Sequence, residues 1–257
     1  MTPQPTLVFV HGAWHSPECW DRVVPILQQR GYRCLTPQVE FCGTAEPVNS
    51  LAGSVNQIQS LIAQETAAGK NVVVVNHSFG GSVGCTSVQG FSRKNSSRLS
   101  DDAGHVLGIV QLCAFMPPPN ASLYDLIDLD TSFHHADAAG WEIIDNGEPA
   151  HVFYNDLSPE DAQLWKSRLL KHSNGTLTDR DNVYAGWADV PVWYLVCSRD
   201  QAIPLQVQET MVAAAQNAGA SVTTKYLEAS HSPFLSKPDE TAEFILEAVG
   251  SFKNSSL

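Results

Sequence analysis

The sequence predicts an α/β fold: a six-stranded, mainly parallel sheet with helices on both faces and a mostly helical cap inserted after the fourth strand. Three observations predict it. Strand-like runs such as "NVVVV" (71–75) show no polar alternation, so both their faces must be covered. Strand-like and helix-like runs alternate along most of the chain, the order that right-handed βαβ units require. The rhythm breaks once, over 116–187, which opens on "MPPPN" and carries no clear buried strand. The core is therefore expected in 1–115 and 188–257, and the cap in 116–187.

"TLVFV" (6–10) reads as the first strand, followed by a helical pattern, "CWDRVVPILQQRG" (19–31), that stops on Gly31. "YRCLTP" (32–37) is the second strand. A polar loop (38–50) leads to a helix over 51–68 with Val55, Ile58, Leu61 and Ile62 on one face. The third strand (71–75) runs into a helix beginning near Gly80, and "SRKNSSRLSDDAG" (92–104) is a surface loop before the fourth strand, 105–115. In the cap, "LSPEDAQLWKSRLLKH" (157–172) is a helix with Ser158 as N-cap, Pro159 at its first position and Glu160 and Asp161 in its first turn. Strands at 190–197 and 221–227 and helices at 205–219 and 239–252 complete the core.

Hydrophobic residues make up 43% of the 257 positions, enough for a large core and too many for a disordered chain. A formal charge of −12 argues against nucleic acid and anionic membranes as partners. There is no basic, apolar leader at the start and no apolar run near the ~18 residues of a membrane span, so a cytoplasmic location is expected. The six cysteines are scattered without a C-x-x-C pair, which points to free thiols in a reducing compartment. The sequons at Asn95, Asn120, Asn174 and Asn254 are accordingly read as chance. The oligomeric state, monomer or homodimer, is left open.

Chemistry concentrates in "VVVVNHSFGG" (72–81). Active groups of parallel sheets gather beyond the carboxyl ends of the strands, and Ser78 sits there with a helix directly after it. Gly80 supplies the small residue that a sharp strand-to-helix turn requires two positions after the serine; Asn76 stands where a glycine is usual two positions before. Alone, Ser78 reads equally well as a helix cap. A serine hydroxyl needs a base, and the base an orienting acid. Asp200 in "CSRDQAIP" and His231 in "EASHSPF" each follow a later strand, in the order Ser…Asp…His. Separately, these two are an ordinary turn carboxylate and loop histidine. Three such residues in that order at three strand ends are hard to reach by accident.

Acyl transfer also needs N–H donors for the developing oxyanion. The candidates are the amide of Phe79, at a helix N-terminus, and the amide of Ala13, in "HGAWH" (11–15) after the first strand. Gly12 and Trp14 of that loop are candidate substrate contacts. His77 is expected to be structural, His11 to brace the loop and His15 to be solvated. His134 and His135 lack the carboxylate–histidine spacing of a metal site and are expected on the cap surface. The cap aromatics (Trp141, Phe153, Tyr154, Trp165, Trp187) read as cap core; any that face the pocket would favour an apolar or aromatic substrate.

"FVHGAWHSPECW", "NHSFGG" and the loops of Asp200 and His231 together resemble the α/β-hydrolase superfamily. The first segment is most similar to its small six-stranded branch of plant methylesterases, hydroxynitrile lyases and microbial esterase-like proteins. That resemblance covers 5–115 and 188–250. It implies Ser78 as nucleophile, His231 as base, Asp200 as orienting acid and Ala13 and Phe79 as oxyanion donors. It implies cleavage of a small, apolar carboxylic ester or lactone through an acyl-enzyme, with no cofactor and no metal. The lyases of this branch have a lysine beside the catalytic histidine and a threonine where this chain has Gly12; here Ser232 follows His231, and Lys237 lies beyond Pro233. Two other readings remain open: C–C lyase or cyclase chemistry on the same groups, and a non-catalytic receptor for a small ligand.

Overall fold

The computed structural model describes residues 4–126, 133–144 and 148–254. Its centre is a parallel six-stranded sheet built from β1 (Thr6–Val10), β2 (Cys34–Leu35), β3 (Val72–His77), β4 (Val106–Leu112), β8 (Val192–Cys197) and β9 (Val222–Leu227). The order across the sheet is β2-β1-β3-β4-β8-β9. Every neighbouring pair runs parallel, with Thr6 beside Val72, Ile109 beside Val192 and Val192 beside Val222. The carboxyl ends of β3, β8 and β9 therefore share one rim.

The strands are buried where helices cover both faces. β1 and β3 are buried throughout, and Val72 to Val75 expose nothing, which is why that run needs no polar positions. β9 is an edge strand and exposes Thr223, Lys225 and Tyr226. The other edge, β2, is shorter than the expected 32–37, because Pro37 has no N–H to continue a ladder. β4 stops at Leu112 rather than 115, where Cys113 turns to φ +37°.

The helices of the core are α1 (Val24–Gln29), α2 (Ala52–Ala67), α3 (Gly80–Ser87), α7 (Leu205–Asn217), α8 (Pro233–Ser236) and α9 (Pro238–Asn254). The pattern at 19–31 forms two pieces, a 3-10 turn at Pro17–Trp20 and then α1. Pro25 explains the break: it has no N–H to bond back to Asp21, and its ring crowds the preceding turn. α2 and α3 pack together against β1 and β3, while α1 packs on α9 and α9 on β4. α9 buries Phe244, Ile245, Ala248, Val249 and Phe252, an apolar stripe at helical spacing.

The segment inserted after β4 is helical in most of its regular elements, as expected, and a small sheet that the sequence did not announce joins them. It carries α4 (Glu148–Tyr154), α5 (Pro159–Ser167) and α6 (Asn174–Thr178), but also an antiparallel sheet of β5 (His134–Ala136), β6 (Trp141–Ile144) and β7 (His172–Ser173). Asp137 makes the β5–β6 turn: its Oδ1 accepts from the N–H of Ala139 (2.9 Å) and of Trp141 (2.8 Å). Ser158 caps α5 as expected, its Oγ accepting from Asp161 N–H at 3.1 Å. α5 ends at Ser167, before the expected 172, because His172 joins β7. Residues 127–132 and 145–147 of the expected cap, and the end of the Asn254 sequon, lie outside the described residues. All six cysteines are free thiols. No described helix is long and apolar enough to cross a membrane.

Candidate active site

Ser78 stands between β3 and α3 with φ +51°, a left-handed conformation that costs a non-glycine residue energy and is held by its surroundings. Its carbonyl accepts from the N–H groups of Gly81 and Phe115, both at 3.0 Å. Gly80 lies against two main-chain carbonyls, where a Cβ would come within 2.4 Å of Val10 O. Asn76 fits in place of the usual glycine because α3 has a glycine opposite: a Cβ on Gly84 would fall 1.8 Å from Asn76 Oδ1. The Asn76 carboxamide is buried and neither of its polar atoms has a partner among the described residues, so this exchange is destabilising in itself.

Asp200 and His231, from the loops after β8 and β9, form a buried pair with His231 Nδ1 and Asp200 Oδ2 2.7 Å apart. Asp200 Oδ1 also accepts from the N–H groups of Ala202 and Ile203, both at 2.8 Å, and Gln208 Nε2 lies 3.4 Å from Oδ2. An acceptor so engaged places the imidazole proton on Nδ1 and leaves Nε2 to take a proton. His77 Nε2 donates to the His231 carbonyl at 2.8 Å, and the Cys113 thiol points at the same oxygen at 3.4 Å. The residue before the serine thus ties down the residue that carries the imidazole. Ser78 Oγ hydrogen-bonds to none of the described residues; contacts of this kind commonly tighten when substrate binds.

The expected oxyanion donors, Ala13 N–H and Phe79 N–H, find no acceptor among the described residues, and Phe79 immediately precedes the first residue of α3. The loop that carries Ala13 is braced on several sides. His11 donates from Nδ1 to Gly12 O (3.0 Å) and accepts at Nε2 from Val39 N–H (3.1 Å). His15 is buried rather than solvated: its Nδ1 donates to Ala13 O at 2.7 Å, and Tyr154 OH lies 3.1 Å from its Nε2. Trp14, at φ +59°, donates its N–H to Cys42 Sγ (3.1 Å) and its indole N–H to Glu142 O (2.9 Å). The Trp14 carbonyl accepts from Leu170 N–H at 2.7 Å. Cys42 Sγ in turn meets His172 Nδ1 at 3.2 Å. Burial pushes His11 down to about 4, and His15 and His172 to about 3. His77 is driven well below its ordinary value, by burial first and then by neighbouring imidazoles. These four rings stay neutral near pH 7.

A cavity of about 160 Å³ opens onto Ser78, Ala13 and Trp14. Phe79, Phe115, Leu123, Phe133, Phe153 and Ile203 make most of the remaining wall. Gly12, a candidate substrate contact, is not on that wall. It is a spacer, since a Cβ there would lie 2.8 Å from both Ser78 Cβ and His77 Nδ1. His134, expected on the surface, is buried and lines the cavity, its Nδ1 2.6 Å from Glu142 Oε1. The β5–β6 hairpin brings these two together, and "HHADAAGWE", with Asp137 and Gly140 three residues apart in a turn, was the signal for it. His135 is exposed. Among the described residues, His77, Cys113 and His231 place donor atoms within 4.8 Å of one another, close enough to hold a metal ion. Both His77 Nε2 and Cys113 Sγ are directed at the His231 carbonyl, so the group reads as a hydrogen-bonded brace.

The sequence profile of the alpha/beta hydrolase family matches residues 7–244. Alpha/beta hydrolase nvfD of Aspergillus novofumigatus is 28% identical over 250 residues, covering 96% of this chain and 97% of its own. Methylesterase 1 of Arabidopsis thaliana is 26% identical over 269 residues, covering 95% and 96%. The crystal structure of a pyrethroid hydrolase from Sphingobium faniae JZ-2 superposes with a TM-score of 0.78 at 20% identity, covering 96% of this chain and 98% of that one, a likeness of fold. With the family profile running from the first strand into the last helix, the chain belongs to the alpha/beta hydrolase family.

Proposed function

We propose that the chain is a serine hydrolase that cleaves a small, apolar carboxylic ester or lactone through an acyl-enzyme. The observation that carries this reading is the buried Asp200–His231 pair at the same rim as a strained serine that faces an apolar cavity. His231 Nε2 takes the Ser78 proton as Oγ attacks the substrate carbonyl. The amides of Ala13 and Phe79 meet the oxyanion, each worth about 3–4 kcal/mol in the transition state. His231 then protonates the leaving alkoxide and next deprotonates the water that releases the acid. Relatives named as esterases support an ester as substrate. The inserted segment acts as the cap, and its Phe133 and Phe153 favour an apolar group beside the scissile bond.

The test is a serine-directed phosphonate followed by mass spectrometry, with a panel of esters and lactones and Ser78→Ala as control. One phosphonyl group on Ser78 is expected, and turnover in the variant at least about a thousandfold lower. Ester turnover that survives Ser78→Ala would overturn the proposal.

A further inference from the structure

The acid and the base sit on separate loops, 31 residues apart in sequence, and one short stretch of the inserted segment reaches both. At the end of α4, Asn155 Nδ2 donates to the carbonyl of Arg199 at 3.0 Å, the residue before Asp200. Asp156 Oδ2 accepts from Ser230 N–H at 2.8 Å, the residue before His231. The hydroxyl of Ser230 donates to Phe153 O at 3.1 Å. The Phe153 ring lines the cavity and lies 5.6 Å from the His231 ring, centre to centre. The second carboxylate oxygen of Asp156 is buried with no partner among the described residues. A carboxylate kept there bears a desolvation cost that its single charge-assisted bond to Ser230 must offset.

We infer that Asp156, assisted by Asn155, is a positioning residue: from the inserted segment it holds the loops of His231 and Asp200 in register, so that the pair meets Ser78 at reacting distance. The inference rests on the serine-hydrolase reading above. Asp156 touches neither the cavity wall nor the reacting atoms; it works through the main chain of Ser230. Its removal lets the imidazole drift, and a displacement of about 1 Å at a reacting group costs on the order of a hundredfold.

Asp156→Ala is expected to lower kcat by about tenfold to a hundredfold with KM within about twofold, since the cavity is untouched. Labelling of Ser78 by the phosphonate should slow in parallel. Asp156→Asn keeps an acceptor for Ser230 N–H and should recover most of the lost rate. A purely structural residue would instead lower the melting temperature and leave the kcat of the folded protein alone. Should Asp156→Ala fail to fold, Asn155→Ala removes the other, exposed contact and is expected to lower kcat by about threefold at constant KM. A folded Asp156→Ala protein with kcat and labelling rate within about twofold of the parent overturns the inference. So does an Asn155→Ala protein with unchanged kcat, where that variant is the one read. A parent protein that does not label on Ser78 counts against the hydrolase reading instead, which keeps the two failures apart.

Discussion

Replacing Gly12 by alanine tests the spacing of the whole site with one methyl group. The new Cβ would stand 2.8 Å from Ser78 Cβ, 2.8 Å from His77 Nδ1 and 3.1 Å from His77 Cε1. Carbon contacts relax near 3.5 Å, so something must move by about 0.7 Å. Ser78 is fixed by its left-handed turn and by two hydrogen bonds to its carbonyl. The His77 ring is fixed by its bond to the His231 carbonyl. The loop of Gly12 itself therefore yields, and it takes the Ala13 amide with it. Complete loss of an oxyanion donor costs on the order of a hundredfold to a thousandfold in kcat, so a partial displacement should cost about thirtyfold to a hundredfold. KM should stay within about threefold, because Gly12 is not on the cavity wall. Overpacking of this kind destabilises by about 1–3 kcal/mol, or a fall of about 2–12 °C in Tm for a chain this long. Steady-state kinetics on the best ester of the panel, with a thermal melt of the same sample, read both quantities. A Gly12→Ala protein with parental kcat and Tm would show that the loop and the serine are not in the tight contact argued above.

Two further outcomes follow from the same geometry. Asp200→Asn should fold and lose about ten-thousandfold in kcat, because a carboxamide cannot hold the imidazole proton on Nδ1; a loss smaller than tenfold would refute the role of the pair. Stability should fall with acid below about pH 6.5. His11, His15, His77 and His172 are held neutral in the folded state, at about 4, about 3, well below normal and about 3, whereas the unfolded chain protonates them near 6.5. The unfolded state then binds more protons, so the contribution is complete above that pH and is lost as pH falls toward the folded values. Four such sites give a slope of about 5 kcal/mol per pH unit once the unfolded chain is fully protonated. Urea midpoints at pH 7, 6 and 5 measure it, and a flat midpoint over that range would refute the burial argument.

The sheet was legible because its signal is local. Val72–Val75 has no polar residue, and a strand covered on both faces leaves no other reading. The grouping of Ser78, Asp200 and His231 at one rim was legible because a parallel sheet sends all its carboxyl ends to one side. What escaped was set by partners that become neighbours only in the folded chain. β6 pairs with β7 through Trp141 and Ser173, a contact that no local pattern announces. His134 looked like surface because its partner, Glu142, becomes a neighbour only once the hairpin folds. Gly12 looked like a substrate contact because its sequence shows what it lacks, a side chain, and not what presses against it. Asn76 looked like a flaw in the turn, and only α3 shows that Gly84 makes its room.

The three-point hold on Trp14 has a consequence for how such proteins diverge. Cys42, Leu170 and Glu142 grip one residue, and two of the three belong to the segment inserted after β4. That insert is bolted to the loop beside it and cannot be exchanged as a detachable module. A chimaera carrying a foreign insert would have to supply its own carbonyl for the indole and its own amide for the Trp14 carbonyl, or the neighbouring Ala13 would lose its bearing. Variation among relatives is then expected to run through the cavity-facing side chains of the insert, while its anchoring main chain changes slowly.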